Sequence, residues 1–101
     1  MAHIDISRPH ARGRAQAHRE AEAVADSLRR RFGVQTAWDG DVLRVDGAGV
    51  RGAITATDDL VQVTAHLGLA LRPLRRTLAR EIERHLDAFA REANGLSSAD
   101  A

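Results

Sequence analysis

The spacing of apolar residues changes twice along this chain of 101 residues, from a helical period to an alternating one and back. Residues 13–32 and 73–93 carry apolar side chains three or four positions apart, which is the pattern of an amphipathic helix. Between them, residues 34–67 alternate between polar and apolar side chains, as do residues 3–6 ahead of the first helix. A strand that alternates in this way covers a core with one face only. The pattern therefore predicts an α+β fold.

Short turn signals divide the alternating region. Asp39-Gly40, residues 46–49 and Asp58-Asp59 each interrupt the alternation with residues that favour tight turns. Tight turns join neighbouring antiparallel strands, so we predict an antiparallel sheet with two amphipathic helices packed on one face. Residues 51–57 are extended, but the pattern leaves open whether they form a strand of their own. The predicted element order is β-α-β-β-β(-β)-α.

The length admits one domain, and no linker or repeat divides it. We expect residues 1–94 to form that domain, with Asn94-Gly95 ending the second helix and residues 95–101 as a flexible tail. Much of the 44% hydrophobic content is alanine, which favours helices but fills little volume. Such a core is thin, and the unpaired backbone groups of an edge strand can bond to a second chain. We therefore expect a homodimer.

The residues that the chain lacks exclude several classes of function. Without cysteine there can be no disulfide, thiol nucleophile or cysteine-bound zinc. All fifteen basic residues are arginine, so a Schiff-base lysine and a P-loop lysine are absent as well. A formal net charge of +1 and only three aromatic residues argue against nucleic acid as a partner. The start lacks a signal peptide's apolar run, and no stretch reaches ~20 apolar residues, so we expect a cytoplasmic protein with no transmembrane segment.

The histidines and paired carboxylates do not form a recognisable catalytic or metal-binding motif. None of the five histidines has the spacing that places two ligands on one helix face. His3 and Asp5 would project from one side of the first strand, and His66 would join them if those strands pair, which would suit a metal ion or acid–base chemistry. We favour solvated polar side chains there, and a turn at Asp58-Asp59. The chain is thus predicted to be no enzyme, with no metal and no cofactor.

The segment of residues 67–80, called the Leu/Arg segment below, combines dense leucine with four arginines and has no acidic residue. Arg75 and Arg76 would lie in the first turns of the second helix, where the helix dipole disfavours cations. Arginines also recur every four residues from Arg72 to Arg84, a spacing at which like charges repel. This cost indicates an anionic partner: phosphate, an acidic protein or an anionic surface. The alternative, which the residues alone favour, is a solvated helix face, because arginine side chains are long enough to splay apart and Glu81, Glu83 and Asp87 are nearby. The candidate residues are Arg72, Arg75, Arg76 and Arg80 for anion or surface binding, and Leu69, Leu71, Leu74 and Leu78 for an apolar surface or pocket.

Nearly the whole chain resembles the small polyhydroxyalkanoic acid system proteins of bacteria, in the order and spacing of short motifs. These motifs are residues 1–6, 8–10 and 32–34, Trp38-Asp39-Gly40-Asp41, Val50-Arg51-Gly52, Thr57-Asp58-Asp59, Leu67-Gly68, Pro73-Leu74, Glu81-Ile82-Glu83 and Leu86-Asp87. The resemblance implies a non-enzymatic accessory protein of polyhydroxyalkanoate storage, associated with granules or granule proteins, and it provides no catalytic residues. The alternative, from architecture, is a small carrier that holds an apolar or acyl ligand between the C-terminal helix and the sheet.

Overall fold

The computed structural model describes the backbone of residues 2–100 and the side chains of residues 3–91. It confirms the predicted α+β fold, and residues 50–56 form the additional strand that the sequence left open. The elements are β1 (Ala2–Pro9), α1 (Arg14–Phe32), β2 (Gln35–Asp39), β3 (Val42–Gly47), β4 (Val50–Ala56), β5 (Leu60–Leu67), a 3₁₀ helix (Leu69–Leu74) and α2 (Arg75–Asp100). The backbone of α2 thus continues through the predicted cap at Asn94-Gly95. The predicted flexible tail, residues 95–101, lies outside the described side chains and stays a prediction.

The five strands form one sheet in the order β1-β5-β4-β3-β2, and each neighbouring pair is antiparallel. Strands β2 to β5 are joined by tight turns, as predicted, and so form an antiparallel meander. The first strand returns beside the last, with His3 opposite His66 and Pro9 opposite Leu60. The edges of the sheet are therefore β1 and β2. Pro9 suits an edge strand because it has no backbone N–H to contribute to a ladder.

Both helices pack on one face of the sheet and enclose a single core. The strands contribute their alternate residues to it, as the period of two predicts. The helices contribute Ala17, Ala21, Val24, Ala25 and Leu28 from α1, and Leu78, Ile82, Leu86 and Phe89 from α2. The opposite face of the sheet, called the open face below, has no helix against it and carries polar residues such as Asp5 and Arg44.

Gly52 permits the close pairing of β4 with β5 at the centre of the sheet. A Cβ atom built on Gly52 would lie 2.2 Å from the carbonyl oxygen of Thr64 and 3.0 Å from the Cα atom of Ala65. Both contacts are with backbone, which a change of rotamer cannot relieve. β4 and β5 pair without interruption through Gly52 and Ala65, so this glycine serves the sheet sterically and marks no bulge.

Polar contacts join both helices to the sheet and its turns. Asp58, in the β4–β5 turn, accepts a hydrogen bond from the backbone N–H of Arg14 at 3.2 Å and so caps the start of α1. Arg8 of β1 donates through Nε to Asp87 of α2 at 2.6 Å and contacts Glu83 at 3.5 Å. The hydrogen bond to Asp87 raises the pKa of Arg8 above its usual range, and burial opposes this shift. The guanidinium is therefore charged at every pH at which the protein would be studied.

Candidate functional site

The Leu/Arg segment lies at one end of the molecule, where β5 leaves the sheet and turns into α2. The backbone N–H of Gly68 donates to the carbonyl oxygen of Gly49 in the β3–β4 turn at 2.8 Å. The chain then forms the 3₁₀ helix, which contains Pro73 and leads directly into α2 at Arg75. None of the six residues of the 3₁₀ helix is buried. The segment is thus an ordered connection that stands outside the core.

The four candidate leucines divide between the surface and the core. Leu69 is 74% exposed and Leu74 is 39% exposed, and these are two of the three large apolar side chains that the described surface presents. Leu71 is half-buried and packs against the edge of the core. Leu78 is only 2% exposed, because its place on α2 faces the sheet. The predicted apolar surface is therefore corrected to Leu69 and Leu74, with Leu71 beside them.

The four candidate arginines are all exposed. Within the part of the chain whose side chains are described, none of them forms a salt bridge or a side-chain hydrogen bond. Arginines elsewhere do pair with carboxylates: these are Arg8, Arg14, Arg29, Arg30, Arg31, Arg44 and Arg51. The Leu/Arg segment therefore concentrates positive charge that the fold does not neutralise.

The start of α2 adds to this charge. The helix begins at Arg75, and its first turn contains no acidic residue. The dipole at a helix N-terminus already favours an anion there, although the backbone N–H of Arg75 itself donates to the carbonyl oxygen of Arg72 in the 3₁₀ helix. Arg75 and Arg76 thus reinforce a positive end where a helix ordinarily carries Asp or Glu. Arg80 lies further along α2 beside Thr77 and Arg84, in a surface cleft that Glu83 and Asp87 also line.

A cleft of about 500 Å³ borders the segment on the other side of Gly68. Its wall includes Arg51 and Asp46 from β4 and β3, His66 from β5, and the backbone of Gly49 and Gly68. The sequence does not predict this cleft, because it forms only where the β3–β4 turn meets the end of β5. Arg51 lies 3.8 Å from Asp46, so its charge is partly balanced.

Of the three polar residues His3, Asp5 and His66, which the sequence places near one another if β1 and β5 pair, the structure brings the two histidines together. His3 and His66 face each other across β1 and β5, with their Nδ1 atoms 3.4 Å apart. Asp5 lies on the same face but accepts a hydrogen bond from Gln62 at 3.2 Å. No group of three or more His, Asp or Glu side chains able to hold a metal ion occurs among the described residues.

A polar network that the sequence does not predict joins α1 to the β2–β3 hairpin. Trp38 stacks on the ring of His18, with centroids 4.3 Å apart and planes 9° apart. Its indole N–H donates to Glu22 at 2.6 Å. Asp41 lies 2.9 Å from Nε2 of His18 and 3.3 Å from Nε of Arg14. Arg14, His18 and Glu22 are four residues apart, which indicates a shared helix face, but only the packing shows that this face meets Trp38.

The space between α2 and the sheet, where a carried ligand was expected in the alternative hypothesis, contains packed side chains. Ile82 and Leu86 of α2 are buried there against the same core as Ile4 and Ile54 of the strands. The cleft beside Gly68 and a second surface cleft along α2, beside Arg80, lie elsewhere, and neither is lined by these residues. The carrier hypothesis stays a prediction without a cavity to support it.

Comparison with known proteins gives one match. The model of a family described as "Putative polyhydroxyalkanoic acid system protein" matches residues 4–89, which include both helices' buried stripes and all of β2 to β5. No curated protein and no solved structure matches this chain. Within residues 2–100, neither helix is both long and apolar enough to cross a membrane.

Proposed function

The chain belongs to the polyhydroxyalkanoic acid system protein family, and from that premise we propose that it is a non-enzymatic accessory protein that binds the surface of polyhydroxyalkanoate granules. Binding would take place in the cytoplasm, through the Leu/Arg segment. The observation that carries the proposal is the combination, in one ordered segment, of exposed leucines with arginines that form no ion pair among residues 3–91. Elsewhere on the described surface seven arginines pair with carboxylates, and most large apolar side chains are buried.

The physical basis is that of an interfacial segment. Leu69 and Leu74 would enter the apolar boundary of the granule, while the arginines around them contact anionic groups at its surface. Complete burial of one leucine contributes about 1.5–3 kcal/mol, so the exposed parts of these two would contribute roughly 2–3 kcal/mol together. The arginines would add a salt-dependent attraction, because exposed charges are screened by ions.

Co-sedimentation with isolated granules tests the proposal. Wild type, a variant with Arg72, Arg75, Arg76 and Arg80 changed to Gln, and the variant Leu69→Ser/Leu74→Ser are each centrifuged with native granules. We expect wild type in the pellet and both variants largely in the supernatant. A loss of 2 kcal/mol corresponds to roughly a thirtyfold weaker association.

A matched control removes the same number of charges elsewhere. Arg14, Arg19, Arg30 and Arg44 lie on α1 and β3, outside the Leu/Arg segment, and their change to Gln should leave the protein in the pellet. Wild type that stays in the supernatant would refute the proposal. Sedimentation with native granules but not with granules stripped of their proteins would refute direct surface binding and identify a granule protein as the partner.

A further inference from the structure

A pair of histidines on the open face of the sheet brings two imidazole nitrogens close enough to share one metal ion. The antiparallel register of β1 and β5 places His3 directly opposite His66. Their Nδ1 atoms are 3.4 Å apart, and their ring centroids are 4.6 Å apart with the planes tilted by 51°. Both side chains are exposed, so an ion from solution can reach them.

The separation of the two nitrogen atoms suits a shared metal ion better than a direct hydrogen bond. Hydrogen bonds from nitrogen in proteins are usually about 2.7–3.2 Å long, so 3.4 Å is long for this pair. Two imidazole nitrogens on a tetrahedral Zn²⁺, each about 2.0–2.1 Å from the ion, lie roughly 3.3–3.4 Å from each other. We propose that His3 and His66 bind one divalent transition-metal ion of the Zn²⁺ or Cu²⁺ class through their Nδ1 atoms. Imidazole is a preferred ligand for these ions, whereas Mg²⁺ and Ca²⁺ prefer oxygen.

The surroundings leave the proposed site open. Asp5 is two residues from His3 on the same face and is engaged by Gln62, and Arg51 lies beside His66 on β4 but is directed to Asp46. Because no third protein ligand completes a cluster among the described side chains, water would occupy the remaining positions on the ion. The adjoining cleft, which His66 also lines, provides space for it.

Binding would join two strands that are distant in sequence. His3 and His66 are 63 positions apart, and β1 is an edge strand whose place in the sheet depends on its contacts with β5 and α2. A ligand that binds only the folded chain stabilises it in proportion to its occupancy. The ion would therefore hold the first strand in place, independently of the Leu/Arg segment and of any granule.

Titration of the untagged full-length protein with ZnCl₂, followed by CuCl₂ in a separate series, tests this inference. Calorimetry should give one ion per chain, and thermal unfolding should occur at higher temperature with the metal. His3→Gln or His66→Gln should weaken binding by at least the roughly 10–100-fold that loss of an outer-shell partner costs. Nitrogen NMR of the imidazoles should show the Nδ1 signals of these two residues shifting with added Zn²⁺.

His85→Gln is the matched control, because His85 lies on α2 and its nearest carboxylate is Glu20, 3.8 Å away. This variant should bind the metal as wild type does. The inference is overturned if wild type takes up neither metal at one ion per chain, or if uptake survives in both the His3 and the His66 variant. Since both histidines are exposed on the sheet surface, neither replacement should prevent folding, and circular dichroism checks this.

Discussion

Ala48 occupies a backbone conformation that its side chain disfavours. It has φ 53° and is followed by Gly49 with φ 83°, the two residues forming the turn between β3 and β4. Positive φ at both central positions is the mark of a type I′ turn, which matches the twist of the flanking strands. An L-residue other than glycine in this region costs about 1–2 kcal/mol, although asparagine tolerates it better than most.

Ala48→Asn should stabilise the fold. It creates Asn-Gly, the preferred pair for this turn, and should raise the free energy of unfolding by about 0.5–1 kcal/mol. For a domain of this size that corresponds to a rise of about 2–8 °C in Tm. Ala48→Val is the matched control: it should lower stability, because a β-branched side chain is strained at positive φ. The fluorescence of Trp38, the only tryptophan, can report unfolding, and a less stable Asn variant would contradict the turn geometry.

At the scale of the element, α2 begins with charges that oppose its own dipole. Arg75 and Arg76 occupy its first turn. α1 also begins with an arginine, Arg14, but that side chain lies 3.3 Å from Asp41. The last turn of α1 carries Arg29, Arg30 and Arg31, where cations are favourable. The two helices therefore differ in what their charges do for folding. The arrangement in α2 costs stability and concentrates positive charge beside exposed leucines, which is why the Leu/Arg segment is the proposed binding surface.

Reversal of these charges should separate stability from binding. Arg75→Glu/Arg76→Glu should raise the free energy of unfolding by about 1–2 kcal/mol, since acidic residues are favourable at a helix N-terminus. The same variant should lose sedimentation with granules. Urea unfolding and the granule assay measure the two effects on one protein. If the variant instead loses both stability and granule binding, the two arginines stabilise the fold and the proposed separation is wrong.

Arg30→Glu is the control for that pair of charges. Arg30 lies in the last turn of α1 and is 2.7 Å from Asp26, so its reversal removes favourable interactions with both the dipole and the carboxylate. We expect a loss of about 0.5–1 kcal/mol in stability and no change in granule binding.

At the scale of the whole molecule, the sheet has two edge strands and one face without a helix. The backbone of β2 forms one edge, and its side chains are largely exposed. Unpaired backbone groups at such an edge can pair with a second copy of the chain across a two-fold axis. A dimer would present two Leu/Arg segments to one granule, which would strengthen binding without any new contact.

We therefore expect a homodimer in solution. Light scattering coupled to size-exclusion chromatography should give twice the 11.0 kDa of one chain. A dilution series would show whether the mass falls at low concentration, as it should for an association through a strand edge alone. A mass of one chain at every concentration would exclude the dimer and leave a single Leu/Arg segment per particle.

The local pattern of the sequence was sufficient for most of the elements. The spacing of Val24 and Leu28, or of Ile82 and Leu86, predicts both a helix and the face it buries, because the helical period is a property of neighbouring residues. The alternation along residues 60–67 does the same for β5. The concentration of arginine in the Leu/Arg segment is equally visible in the sequence.

Only the tertiary structure decided which elements meet. The place of β1 beside β5, and hence the pair His3 and His66, depends on contacts 63 positions apart that no local period encodes. The same holds for Trp38 against His18, and for Leu78, which lies four residues after exposed Leu74 but faces the sheet. By itself the sequence determined which side of each element is apolar. Which strands and helices pack against one another is determined by the burial of all these apolar faces in one core, and that burial is a property of the whole chain.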